Sequence, residues 1–147
     1  MARSRALPVR RAMLVHMKGD APLVALVPAA SIFGQIVPAN TSWPYIRMGS
    51  PSAIGAVRGT CMNGAEGIVS IHGFSIGRRR GEKLVETAED HAGRIGDAIA
   101  AALDGARLPL DGGGKVKLTW TGDQLLQDPE EAGAFHTVQN FTWRFLS

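Results

Sequence analysis

An α+β domain with a mostly antiparallel four-stranded sheet, and with a long helix and an N-terminal helix packed on one face, is the fold class this sequence predicts. Three observations carry that expectation. Leu84, Ala88, Ala92, Ile95, Ile99 and Leu103 recur at three- and four-residue steps, which places them on one face of a helix running from Glu82 to Leu103. "KVKLTWT" alternates, with Val116, Leu118 and Trp120 on one side and Lys115, Lys117, Thr119 and Thr121 on the other, as in a strand with one face on a core. "DPEEAG" then supplies a turn whose Pro129 presets φ, and "FHTVQNFTWRFL" leaves it as a second extended run, so an antiparallel hairpin closes the chain.

The remaining elements follow in order. "ALPVRRAMLVHMK" spaces Leu7, Val9, Met13, Leu14 and Met17 for a first helix over residues 6–18, ending at Gly19. Asp20 reads as the N-cap of a short helix "APLVALV" that Pro28 stops. "SIFGQIVPAN" suits an irregular connection or short edge pairing. Pro44 then holds Trp43 extended, and Tyr45, Ile46 and Met48 continue as a strand over residues 44–49. "SPSAIGAVRGTCMNGAE" reads as a long loop of small residues, of a kind that is mobile alone or ordered by a partner, and its length hints at function. "GIVSIHGFSI" is apolar on both faces and forms a strand over residues 66–76, and Gly105 is a left-handed stop after the long helix.

With 147 residues, 45% of them hydrophobic and 20% charged, the chain has the size and balance of one domain, residues 1–147. The net charge of +3 permits contact with a polyanion without requiring one. Cys61 is the single cysteine, which excludes an intrachain disulfide and a cysteine-based zinc site. Arg3, Arg5, Arg10 and Arg11 before "AMLVHM" faintly echo a signal peptide, but Lys18, Asp20, Pro22 and Pro28 interrupt the apolar run, and no cleaved signal is expected. No stretch reaches the roughly 20 apolar residues of a membrane span, so a soluble protein without membrane contact is expected.

Chemistry is hard to find. His16, His72, His91 and His136 lie on separate elements at no metal-ligand spacing, and partly buried packing histidines are the stronger reading for the last three. Glu86 and Asp90 read as a solvated helix face, with Asp90 and Arg94 at a favourable four-residue separation. Gly112, Gly113 and Gly114 precede a strand, not a helix N-terminus, so they do not form a phosphate cradle. Ser31, Ser50 and Ser75 lack a nucleophile-elbow context. No catalytic residue, cofactor or metal is expected. In "GRRRGEKLVE", Arg78, Arg79 and Arg80 sit between two glycines at the entry to the long helix; they can neutralise phosphates, but a solvated turn is the stronger reading of the run alone.

Several segments together, in order over most of the chain, carry a resemblance: "APLVALVPAASIFGQIVPAN", "WPYIRMG", "AEGIVSIHGFSI", "GEKLVETAEDHAGRIGDAIAAAL" and "LLQDPEEAGAFHTVQNFTWRFLS". The chain resembles the tail terminator, or tail-completion, proteins of long-tailed phages and phage-derived gene transfer agents. The resemblance implies a non-enzymatic virion assembly protein, made in the host cytoplasm and placed at the head-proximal end of the tail. It implies a homo-hexameric ring that caps the tail tube, ends its elongation and meets the head–tail connector or stopper, while double-stranded DNA passes through its centre without sequence specificity. The long loop then becomes an intersubunit or tube-contacting arm, with Arg47, Ile54, Val57, Arg58 and Met62 expected at that interface. "GRRRG" and the arginine-rich first residues are local elaborations to which the resemblance transfers no role; Arg78, Arg79 and Arg80 face the DNA if their turn points inward. Two alternatives stay open, another head–tail joining ring of neck or stopper type, and a small nucleic-acid-binding module using these arginines.

Overall fold

The computed structural model describes residues 4–58 and 63–146. The chain opens with α1 (Ala6–Lys18) and α2 (Ala21–Leu26), the second capped by Asp20, whose carboxylate accepts from the Leu23 amide at 3.1 Å. A single 3-10 turn, Ala29–Ser31, leads to β1 (Ile32–Phe33) and β2 (Tyr45–Met48). Then come β3 (Ile54–Arg58), β4 (Asn63–Ser75), β5 (Arg78–Arg80) and β6 (Lys83–Glu86). The long helix α3 (Ala88–Leu103) is followed by β7 (Arg107–Pro109), β8 (Lys115–Gln127) and β9 (Phe135–Leu146).

The sheet is larger than the four strands expected. Seven strands make one sheet, in the order β1-β2-β4-β9-β8-β7 with β3 also paired to β4, and β5 and β6 form a separate two-stranded ribbon. β1 and β2 run parallel, and the other pairs are antiparallel. The missing strands are two to five residues long, too short to show a period. The loop predicted over residues 50–65 in fact holds β3, because β4 has 13 residues and outruns β2. β2 takes the edge positions opposite Ile71 to Phe74 and β3 those opposite Asn63 to Glu66, with the Gly49 and Ser52 amides donating to the Ser70 and Ile68 carbonyls between them.

The predicted helix also starts too early. Leu84 shares its phase, but Gly81 at φ +65° turns the chain so that Lys83 to Glu86 pair back onto Arg78 to Arg80. Helix begins only at Ala88, where the Thr87 hydroxyl accepts from the Asp90 amide at 3.1 Å.

One face of the sheet is buried under the helices. α3 lies against β4, β9 and β8, while α1 and α2 lie on α3 and α1 reaches β1 and β7 at the two sheet edges. Alternate positions of the central strands, Val69 and Ile71 on β4, Phe141, Trp143 and Phe145 on β9, Val116 and Leu118 on β8, meet Ile95, Ile99 and Leu103 of α3 and Val9, Met13 and Met17 of α1 in one core. Arg5 belongs to it too, with its guanidinium over the Phe145 ring at 3.9 Å, so part of the basic N-terminus is consumed by internal contacts. Helix and sheet come close where side chains are absent: a Cβ on Gly73 would stand 2.8 Å from Ile95 Cγ2, and one on Gly96 would stand 2.7 Å from Gln139 Nε2.

Candidate assembly interface

The opposite face of the sheet carries no helix among the described residues. Registers build cross-strand rows on it: Tyr45, Phe74, His136 and Leu126 in one, Arg47, His72, Val138 and Gln124 in the next. The first row is aromatic. Tyr45 stacks on Phe74 at 4.7 Å between ring centroids, Phe74 stacks on His136 at 4.2 Å, and Trp43 meets Tyr45 edge-on at 5.0 Å. Arg47 lies 5.5 Å over the Phe74 ring. Farther along, the face is polar and basic, with Lys117 opposite Arg144 and Arg144 opposite Glu66, and with Ile68 62% exposed.

The histidines of this face form a chain. His72 Nδ1 and His136 Nε2 are 2.7 Å apart, and the Ser70 hydroxyl is 2.8 Å from His72 Nε2. One N–H stands between the two ring nitrogens, so both rings cannot be doubly protonated together. Burial, then the Arg47 charge and the neighbouring His136, push His72 down to about 4. His136 is lowered as well, by burial and Arg47, with Asp128 opposing. Sequence spacing offers no sign of this pair, because β4 and β9 are adjacent only in space.

The arginine run is neither a plain turn nor the start of a helix. Arg78 to Arg80 form β5 of the ribbon and are exposed. Arg78 reaches Glu86 at 3.5 Å and Arg79 donates to the Glu82 carbonyl at 3.1 Å, while Arg80 has no side-chain partner among the described residues. Glu86 mainly serves Arg94, which grips it with two hydrogen bonds of 2.6 and 2.7 Å; the expected Asp90–Arg94 pairing is replaced by this one, since β6 swings Glu86 over the helix. That grip holds the Glu86 carboxyl below its ordinary range.

Of the residues expected at an interface, Arg47 is half-buried on the uncovered face, on β2 beside the edge strand β1. Ile54, Val57 and Arg58 lie in β3 on the sheet edge, and Met62 lies outside the described residues. His91, expected to be partly buried, is fully inside, with Ser75 Oγ 2.6 Å from its Nδ1. This Ser–His contact has no exposed nucleophile, because Ser75 is wholly buried and its Oγ also accepts from the Gly77 amide at 2.9 Å. No group of three or more His, Cys, Asp or Glu that could hold a metal occurs among the described residues, and none of their helices is long and apolar enough to cross a membrane. The arrangement offers surfaces: a bare sheet face, short sheet edges and a basic ribbon.

Comparison with known proteins gives these surfaces their context. Residues 11–146 match the family model "Tail completion protein gp17". A chain in the structure titled "Virion of native gene transfer agent (GTA) particle" is similar in fold, with a TM-score of 0.77 and 20% identity over 99% of this chain and 100% of that one. A second solved chain has a TM-score of 0.55 and 14% identity, covering 98% of this chain and 96% of that one. No curated protein sequence matches significantly. At these identities the two structures establish a shared fold, while the family match spans nearly the whole chain. The chain therefore belongs to the tail completion protein gp17 family, and it is a structural protein of virion tail assembly, not an enzyme.

Proposed function

We propose that this protein is the tail terminator of its particle, a ring of six copies that caps the tail tube, ends its elongation and presents a surface to the head-proximal connector. The observation that carries the reading is the sheet face left bare among the described residues, whose packed helices α1, α2 and α3 lie on the other side. A face that exposes Ile68 and Leu126 beside the half-buried Arg47, and that is stiffened by a Tyr45–Phe74–His136 stack whose Phe74 is itself buried, is suited to contact with protein. Family membership supports reading that protein as a component of the tail. β3 on the sheet edge, with Ile54, Val57 and Arg58, extends the same surface toward a neighbouring copy or the tube. Arg79 and Arg80, and less so Arg78 because Glu86 neutralises it, contribute a diffuse positive field toward DNA in transit.

Deletion of the gene with imaging of the resulting particles tests this. Overlong tubes are expected. DNA-filled heads without tails would reassign the protein to the neck, and tubes of normal length would overturn both. A salt-dependent duplex affinity of the isolated protein, lost on replacing Arg78, Arg79 and Arg80 by alanine, combined with normal tubes, would favour a nucleic-acid-binding module.

A further inference from the structure

Two unpartnered surfaces lie at opposite ends of α3. At its N-terminal end, the β5–β6 ribbon, the first turn of α3 and the start of β9 enclose a groove. Ile76 and Leu84, 46% and 45% exposed, and the half-buried Phe135 give it an apolar floor. Glu89 and Asp90 form an acidic rim, with Arg79 on the ribbon side. No other element of the described residues fills it.

At the other end, α1 exposes one residue per turn. Leu7, Arg11, Val15 and Lys18 follow each other at four-, four- and three-residue steps, all exposed, with Val15 at 73% and Leu7 at 48%. The stripe alternates apolar and basic. Arg11 makes one long ion pair, 3.9 Å to an Asp111 that is itself exposed, which leaves its charge largely available. α1 is tied to the C-terminal end of α3, where His16 Nε2 donates to the Ala102 carbonyl at 2.9 Å. The 16 residues of α3 separate stripe from groove by roughly 24 Å at 1.5 Å per residue, so the two cannot meet within one chain.

The geometry points to a head-to-tail contact between copies of this chain, in which the α1 stripe of one copy lies in the acid-rimmed groove of the next. Val15 and Leu7 match the apolar floor, and Arg11 and Lys18 match Glu89 and Asp90. Because stripe and groove are different surfaces at opposite ends, each contact leaves one of each free, and the series ends only by closing into a ring. The inference rests on the ring reading above and names the surfaces that build it.

The test uses full-length protein in purified particles, with Cys61→Ser as background and Val15→Cys and Leu84→Cys introduced together. A short bis-maleimide should give a ladder of covalent multimers extending beyond dimers on a denaturing gel, and either cysteine alone should give none. Arg11→Glu with Lys18→Glu should abolish the ladder, and adding Glu89→Lys with Asp90→Lys should restore it. A ladder that stops at dimers, or none at all, overturns the contact. Imaging of the same particles separates the two failures: a ring seen without the ladder leaves the ring reading standing, and no ring removes both.

Discussion

Ser75 Oγ lies 2.6 Å from His91 Nδ1 in the buried seam between β4 and α3. The Gly77 amide donates to the same oxygen, so Ser75 Oγ and His91 Nδ1 are both satisfied when the hydroxyl proton goes to Nδ1 and His91 is the neutral Nε2–H tautomer. Burial lowers His91 in agreement, against the pull of Glu86 and with the help of Arg94 and Arg78. The pair fixes the chain reversal that carries β4 into the arginine ribbon.

Ser75→Ala is accordingly expected to destabilise the fold by about 1–3 kcal/mol, because it strands a buried ring nitrogen and the Gly77 amide. Urea unfolding of the purified protein at neutral pH checks this, and a midpoint unchanged from wild type would remove the pair from the list of stabilising contacts.

Acid should weaken the fold before the carboxylates titrate. His72, His136 and His91 all have lowered pKa values in the folded state, so the unfolded chain binds protons more readily. Their contribution is complete above about 6.5 and is lost as pH falls toward about 4, the value for His72. Unfolding midpoints measured across that range should fall steadily. The double change His72→Gln with His136→Gln should flatten the slope.

Two glycines of α3 should respond to alanine in opposite directions. A Cβ on Gly96 meets Thr137 and Gln139, both buried, so Gly96→Ala is expected to cost about 1–3 kcal/mol net of any helix propensity gained. At Gly93 the nearest atom to a new Cβ is Leu125 Cδ2 at 3.8 Å, and Gly93→Ala should stabilise by up to about 1 kcal/mol. Thermal melts of the two variants side by side decide the point.

Glu86 anchors the ribbon to α3 through Arg94, and Glu86→Gln keeps the shape while removing the charge. Global stability should drop by about 1 kcal/mol or less, since Arg94 is half exposed. Amide exchange in residues 78–86 should rise well above that of the central strands. Equal protection in wild type and variant would mean that strand pairing alone holds the ribbon.

The sheet's outer face shows where sequence reading stopped. Alternation identified β8 and the turn at Pro129 led into β9, yet Tyr45, Phe74 and His136 come from three strands far apart in the chain, and only the registers align them in one row. The arginine run read as a turn because Leu84 fell into the phase of the coming helix; what overrode that phase was Gly81 in the left-handed region, followed by pairing with β5.

The sequence by itself determined the elements whose information is local: α1, the Asp20 cap, the body of α3 and the closing hairpin, each set by periodicity or turn chemistry within about twenty residues. Its ordered segments also determined the family resemblance, which the family match over residues 11–146 bears out. Tertiary structure alone decided the number of strands, the partner of Arg94, the His72–His136 contact and the position of groove and stripe at the two ends of α3. The reason is that short edge strands and cross-strand pairs draw their stability from partners distant in sequence. A thirteen-residue β4 selects those partners only once the core has closed on its other face.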